Sequence, residues 1–288
     1  VWIPVRLRKT DIDYINKYWG ACEDKSAPTL EKIHNKYYLR FSFTETVTLS
    51  DTPIAEQIIC AVDLGINTDA VCSIMKADGT ILARKFIDFA SDKDRMIHAM
   101  NRTRRKQSKY GPKSARGLWA YVKRLNEDRA KKISAAIVEF ASQHSVDTIV
   151  MEHLDFKGCK KRGSKAQRLS MWNHGIIREK VEQKAHLLGI RIATICAWKT
   201  SALAFDGSGS VTRDDNNHAL ATFTTGKQYN CDLSASYNIG ARYFIREFLK
   251  SLPATEESRV KAKVPDVGRR TSCTLSTLRM LVKELSAA

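Results

Sequence analysis

Three acidic residues, far apart in a chain of 288, each sit where an apolar stretch ends or begins. Ile58-Ile59-Cys60-Ala61-Val62 runs into Asp63-Leu64-Gly65-Ile66-Asn67, and Thr148-Ile149-Val150-Met151 runs into Glu152. Cys231-Asp232-Leu233-Ser234-Ala235-Ser236-Tyr237-Asn238-Ile239 places the third, Asp232, at the opening of a helical pattern. Three carboxylates on separate elements are the ligand set of a two-metal phosphodiester hydrolase, which holds two divalent ions roughly 3.5–4 Å apart on hard oxygens. With no soft ligand cluster in the sequence, the expected ions are Mg²⁺ or Mn²⁺. Asp63 would bridge both ions, with Glu152 and Asp232 each holding one side. Taken singly, each acid has a plainer reading: a strand-end turn former for Asp63 and Glu152, a helix cap for Asp232. Near a helix N-terminus Asp232 is expected to stay ionised.

The elements that must carry these acids follow from periodicity. After the strand ending at Asp63 come Ala70–Met75, the turn Ala77-Asp78-Gly79-Thr80 and Ile81–Ile87, an Asp-Gly hairpin signal. Three consecutive antiparallel strands with the key Asp on the first are how an RNase H-like α/β fold opens, a mixed sheet flanked by helices. Tyr110-Gly111-Pro112 breaks residues 92–132 into two helices, and Leu118, Val122, Leu125, Ile133, Ile137 and Phe140 mark one packed face of the second. Val146–Met151 is the strand to Glu152. Trp172, Ile176, Ile177, Val181, Ala185 and Leu188 line the buried face of a helix stopped by Gly189, and Ile190–Trp198 is a further strand. Residues 199–230 are polar and rich in glycine, an insertion before the helix of Asp232. That helix is marked by Tyr237, Ala241, Phe244, Ile245, Phe248 and Leu249; beyond Pro253 a polar tail is expected, closed by a short helix at Leu275, Leu278, Leu281 and Leu285. The division expected is 1–52, a β-rich piece containing a strand at Lys36–Phe43; 53–198, the first two acids and the basic helices; 199–230, the insertion; 231–250, the third acid's helix; and 251–288, the tail.

Charge sets the partner class. Lys and Arg number 48 against 31 Asp and Glu, a net +17, which points to a polyanion. Fourteen cations against four acids fall in 92–132. Arg102, Arg104, Arg105, Lys106, Lys109, Lys113, Arg116, Lys123 and Arg124 are the candidate phosphate contacts there. A basic loop at 156–165 adds Lys160, Lys161 and Arg162, and Lys199, Arg213 and Lys227 are candidates in the insertion. No apolar run approaches the roughly 20 residues of a membrane span, and the N-terminus does not read as a signal peptide. Seven cysteines with no C-x-x-C pair suggest a reducing interior, Cys60 and Cys72 packing as small hydrophobes. A start at Val1 suggests a fragment of a longer chain.

Across residues 36–250 the chain resembles TnpB, the transposon-associated RNA-guided nuclease family related to type V CRISPR effectors. Asp63-Leu64-Gly65-Ile66-Asn67, Glu152 and Asp232-Leu233-Ser234-Ala235-Ser236-Tyr237-Asn238-Ile239 are similar to its three RuvC motifs, the third being the most specific. Thr200-Ser201 falls where the family has a Thr-Ser pair before its zinc ribbon, and Tyr37–Phe43 resembles the last strand of its wedge domain. The resemblance implies a split RuvC nuclease, prokaryotic and cytoplasmic, that binds guide RNA and cuts target DNA with Mg²⁺, the wedge part and basic helices touching guide and heteroduplex backbone. Two departures stand out. The ribbon's C-x-x-C pairs are absent, and Cys196, Cys231 and His218 make a poor tetrahedral set, so 199–230 is expected as a metal-free, zinc-less hairpin. No helical recognition domain precedes residue 1, so such a domain outside the chain, or a homodimer, would have to complete the grip.

Three rival classes remain: a DNA binder that does not cut, a guide-free resolvase, and a transposase. The intact acids argue against the first, the basic helices and insertion against the second, and the wording of the third motif against the last.

Overall fold

The computed structural model describes residues 5–19, 22, 26–42, 44–154, 171–214, 217–269 and 271–287. It divides into two units, 1–48 and 49–288. The first unit holds a short helix α1 (Lys9–Tyr14), a wide π-type turn (Ile15–Trp19) and one antiparallel hairpin, β1 (Thr29–Ile33) with β2 (Lys36–Arg40). The expected strand at Lys36–Phe43 ends at Arg40, and α1 was not foreseen in a β-rich piece. Asp11, in the first turn of α1, accepts from the Arg8 backbone N–H and guanidinium, a local cap that no hydrophobic period announces.

The second unit is built on a five-stranded sheet. Its strands are β3 (Ile58–Asp63), β4 (Ala70–Lys76), β5 (Ile81–Ile87), β6 (Thr148–His153) and β7 (Arg191–Cys196), in the order β5-β4-β3-β6-β7. The first three run antiparallel, whereas β3, β6 and β7 are parallel. β3 and β4 are apolar at nearly every position because both their faces are covered. Against one face lie α3 (Arg116–Gln143) and α4 (His174–His186), whose Ile133, Ile137, Phe140, Ile177 and Val181 meet Cys60, Val62, Cys72 and Ile74. Against the other lie α5 (Cys231–Ser251) and α7 (Leu275–Ser286), with Ile239, Phe244, Leu278 and Leu281 on Ile59, Ala61, Val71 and Met75. This order, these directions and helices on both faces make the expected RNase H-like α/β fold. α2 (Ala90–Tyr110) packs on α3 through Met96, Ala99, Met100 and Val122. Cys60 and Cys72 are fully buried in the core.

Three boundaries differ from the sequence reading. The second unit begins at Leu49 instead of 53, because Ser50 and Thr52 both donate to Asp147 at the head of β6. Leu188 is 56% exposed: α4 ends at His186, and Gly189 (φ +74°) turns the chain before Leu188 reaches the core. The polar stretch after Pro253 contains a helix, α6 (Ala254–Lys263). Its Glu256 and Glu257 lie in the first turn and Lys261 and Lys263 in the last, matching the helix dipole. It buries only Val260, too few apolar residues to show a period, while Val264 and Val267 carry the packing onward. Among the described residues, no helix is long and apolar enough to cross a membrane.

Candidate active site

Residues on alternate sides of a strand face opposite layers. In β3, Ile59 and Ala61 pack under α5, so Asp63 falls on the same face at the strand's end. In β6, Val150 packs there too, which puts Glu152 on that face. Asp232 lies in the first turn of α5, the helix that covers this face. α5 comes down close to the sheet because residue 240 is glycine: a Cβ there would stand 3.0 Å from Met75 Sδ and 3.2 Å from Ala61 Cβ.

The three carboxylates form one electrostatic group. Burial first, then Glu152 and then Asp232, push the Asp63 carboxyl well above the usual carboxylate range, and Arg213 partly offsets them. Burial raises Glu152 as well, opposed by a hydrogen bond from Thr200 Oγ1 to Oε1 and by the Arg242 guanidinium. Burial also raises Asp232, against the pull of Arg213. Burial therefore works against the ionisation that the helix N-terminus favours at Asp232. Nor is Asp232 the cap. Asn230 fills that place, its side-chain oxygen accepting from Leu233 N at 2.9 Å, so the Asp232 carboxylate is not spent on its own helix.

Glu152 and the loop after Asp63 have dedicated supports. Asn238, six residues along α5 from Asp232, donates to the carbonyls of Thr200 (3.0 Å) and Leu203 (2.9 Å) and accepts from Leu275 N (3.2 Å). It thereby pins the residue that orients Glu152. Arg242, one turn further, donates to the carbonyls of Cys196 (2.9 Å) and Trp198 (2.8 Å). The Thr200-Ser201 pair is thus a site element: Thr200 serves Glu152, and Ser201 Oγ accepts from Arg213 (2.8 Å). The loop after Asp63 turns at Gly65, where a Cβ would come within 2.5 Å of Thr68 O. Asp69, 1% exposed, anchors that loop. It accepts from Phe89 N (2.9 Å) at the head of α2 and from the Arg129 guanidinium of α3, with Lys93 Nζ at 3.2 Å.

Sequence reasoning missed Asp69 and Arg129 altogether, since neither lies in a motif. Arg213, one of the candidate phosphate contacts, is exposed and close enough to lower the carboxyls of Asp63 and Asp232. Of the cations in 92–132, Lys93, Arg129 and Lys132 are engaged with Asp69 and Asp88, Asp69, and Asp92 and Asp128 respectively, and the exposed Lys123 stands 3.8 Å from Glu127. Arg102, Arg104, Arg105, Lys106, Lys109, Lys113, Arg116, Lys123 and Arg124 all point their helices' exposed sides to solvent. Lys199 is exposed, and Lys227 lies over the rings of Phe205 (4.7 Å) and Tyr229 (5.3 Å). Lys160, Lys161 and Arg162 lie outside the described residues. The insertion folds as three short strands, β8 (Thr212–Arg213), β9 (Leu220–Thr222) and β10 (Gln228–Asn230), around Ala204, Ala221, Phe223 and Cys231. Cys231 is buried there and donates to Ser201 O at 3.4 Å, while Cys196 is exposed.

Among the described residues, no three His, Cys, Asp or Glu side chains converge as a ready-made metal cluster. The donor chemistry nonetheless fits a hard divalent ion. Three carboxylates from three elements repel one another and are short of countercharge, which Mg²⁺ or Mn²⁺ would supply where Arg213 does so in part.

No family model matches the chain, and no curated protein does. Among solved structures the chain is similar to the Cas12f1–sgRNA–target DNA complex, at 18% identity over 73% of this chain and 54% of that one, with a TM-score of 0.48. It is similar to the AacC2c1–sgRNA binary complex at 10% identity, over 66% of this chain and 39% of that one, TM-score 0.48. It is also similar to Thermus thermophilus RuvC at 10% identity, over 80% and 96% of the two chains, TM-score 0.31. The chain spans about half or less of the two guide-RNA-bound proteins. All three TM-scores lie below 0.5, so the fold assignment stands on strand order, direction and register.

Proposed function

We propose that this chain is the nuclease part of an RNA-guided DNA endonuclease of the TnpB and type V kind, cutting DNA phosphodiesters at Asp63, Glu152 and Asp232. The observation that carries the reading is the delivery of three carboxylates by β3, β6 and α5 to one end of one sheet face. Asp63 would be shared between two Mg²⁺ or Mn²⁺ ions, Glu152 and Asp232 holding one each. When bound, such ions activate water and stabilise the leaving oxygen. The chain's own contribution is to hold the acids. Thr200 fixes the rotamer of Glu152, Asp69 fixes the loop behind Asp63, and Arg213 steadies the negative charge of Asp63 and Asp232 from the insertion.

The exposed cations of α2 and α3 are the proposed track for the guide RNA and its duplex with target DNA, read by backbone charge and shape. α2 starts at Ala90, just after Phe89 bonds Asp69 at the acid-bearing end of the sheet, and its track cations begin at Arg102, about 18 Å along the helix. A recognition domain elsewhere in a longer protein, or a second copy of the chain, would complete the grip. The cell compartment proposed is the prokaryotic cytoplasm.

The test is cleavage of labelled single- and double-stranded DNA in Mg²⁺ by protein purified with its cellular RNA, beside Asp63→Ala. Cutting that needs both RNA and Asp63 is expected. RNA-dependent binding without cutting would leave a binder, and cutting indifferent to RNA would leave a guide-free nuclease.

A further inference from the structure

The face that carries the acids is not covered to its edge. Register places Asp63 opposite Val71 and Val71 opposite Phe86, so the three share one row on the α5 side. One row along, Ser73 stands opposite Arg84. α5 covers β3 and β4, and α7 reaches β5 at its turn end, where Arg279 donates to Gly79 O (3.1 Å). Neither shields the acid-bearing half of β5, an edge strand, where Phe86 is 50% exposed and Arg84 is exposed too. Two strand spacings of about 4.8 Å put Phe86 about 10 Å from Asp63. Arg84 lies on the same side, near enough to oppose the rise that burial imposes on the hydroxyl of Tyr237, which lies on α5 five residues after Asp232 and meets Tyr229 Oη at 3.1 Å.

Resting on the nuclease reading, we propose that Phe86 and Arg84 hold the scissile single strand as it leaves the acids, Phe86 stacking one base and Arg84 pairing with an adjacent phosphate. An exposed ring continuous with a catalytic row suits a base, since stacking is the main sequence-tolerant contact to single strands. An exposed guanidinium one row from the acid-bearing end suits a phosphate, which it can grip with two donors. The strand is the occupant that charge favours, because the chain carries +17. At the roughly 3.4 Å rise of a stacked strand, 10 Å corresponds to about three nucleotides. The stacked base therefore lies within about three nucleotides of the cut.

The experiment is single-turnover cleavage of labelled single-stranded DNA by the RNA-bound protein, with an abasic site walked through four positions on either side of the cut. Asp63→Ala, Phe86→Ala, Phe86→Trp and Arg84→Ala are compared, each checked by thermal melting. One abasic position is expected to slow the wild type about tenfold, the scale of one lost stack. Phe86→Ala should slow the intact strand equally and add nothing at that position, while Phe86→Trp restores the rate. Arg84→Ala should lower the salt slope of binding by about 0.7. A Phe86→Ala protein that cuts every substrate at the wild-type rate overturns the proposal and leaves the nuclease reading intact. So does one that changes only the oligomeric state, which would make β5 an edge for a second copy. A wild type no faster than Asp63→Ala removes the nuclease reading and this inference with it.

Discussion

Asp63 and Asp147 stand at opposite ends of the same sheet, and the chain treats them in opposite ways. Asp147, at the head of β6, accepts from Ser50 Oγ (2.6 Å), Thr52 Oγ1 and Ile58 N (2.8 Å). Burial pushes its carboxyl up, but these hydrogen bonds outweigh it and hold the group below the usual range. Asp63, at the tail of β3, has two acidic neighbours that raise it further and only Arg213 in opposition. One end of the sheet is stapled by a satisfied carboxylate, and at the other three acids are only partly offset by Arg213, Thr200 and Arg242. Strongly raised acids gathered in one place are a mark of functional sites. On the proposed reading, the difference separates a structural acid from one kept for ion binding.

That contrast can be broken or sharpened by substitution. The largest loss of stability is expected at the acid-bearing end itself, from Asp69→Ala, which leaves Arg129 buried without its partner and costs about 3–5 kcal/mol by denaturant unfolding. Asp147→Ala removes three hydrogen bonds to a charged acceptor and should cost about 2–3 kcal/mol, with cutting retained by the folded fraction. Asp63→Asn should go the other way in metal-free buffer at neutral pH. It removes a charge the fold disfavours, raising Tm by about 2–4 °C per kcal/mol recovered, and it abolishes cutting. The smallest effect on stability, about 1 kcal/mol, is expected of Thr200→Val. Its signature is in the pH profile: without the hydroxyl that lowers Glu152, the acidic limb of cleavage should move to higher pH.

The two ends should also answer pH with opposite signs. Asp63 has a folded pKa above its unfolded one, so its contribution is present below the unfolded value and is lost as pH rises through the folded one. Asp147 has a folded pKa below its unfolded one, so its contribution is present above the unfolded value and disappears as pH falls through the folded one. Urea unfolding against pH, without divalent ions, should show a stability decline above the acid range that Asp63→Asn flattens and Asp147→Ala does not.

The strands of the central sheet were legible because each is local, whereas the parallel pairing of β3 with β6 and of β6 with β7 joins distant segments and was not. An apolar run ending in a carboxylate can be read within six residues, and the Asp78-Gly79 turn fixes the first hairpin. Asp69 and Arg213 were not, because their meaning lies in partners 60 residues distant for Asp69 and about 150 for the Arg213–Asp63 pair. Thr200 was noticed as part of a motif, yet its service to Glu152 depends on Asn238 bringing β7's exit loop beneath α5. The helix at Ala254–Lys263 escaped because one buried valine carries no period, and only the packing of Val264 and Val267 behind it shows why it forms.

The central claim is that Asp63, Glu152 and Asp232 are one charge-deficient group that binds divalent ions. Calorimetric titration of Mn²⁺ into the wild-type protein and Asp63→Asn tests it directly. The account predicts ion binding that raises Tm in the wild type and is lost in Asp63→Asn. Equal affinity in both proteins, or no binding in either, would contradict it.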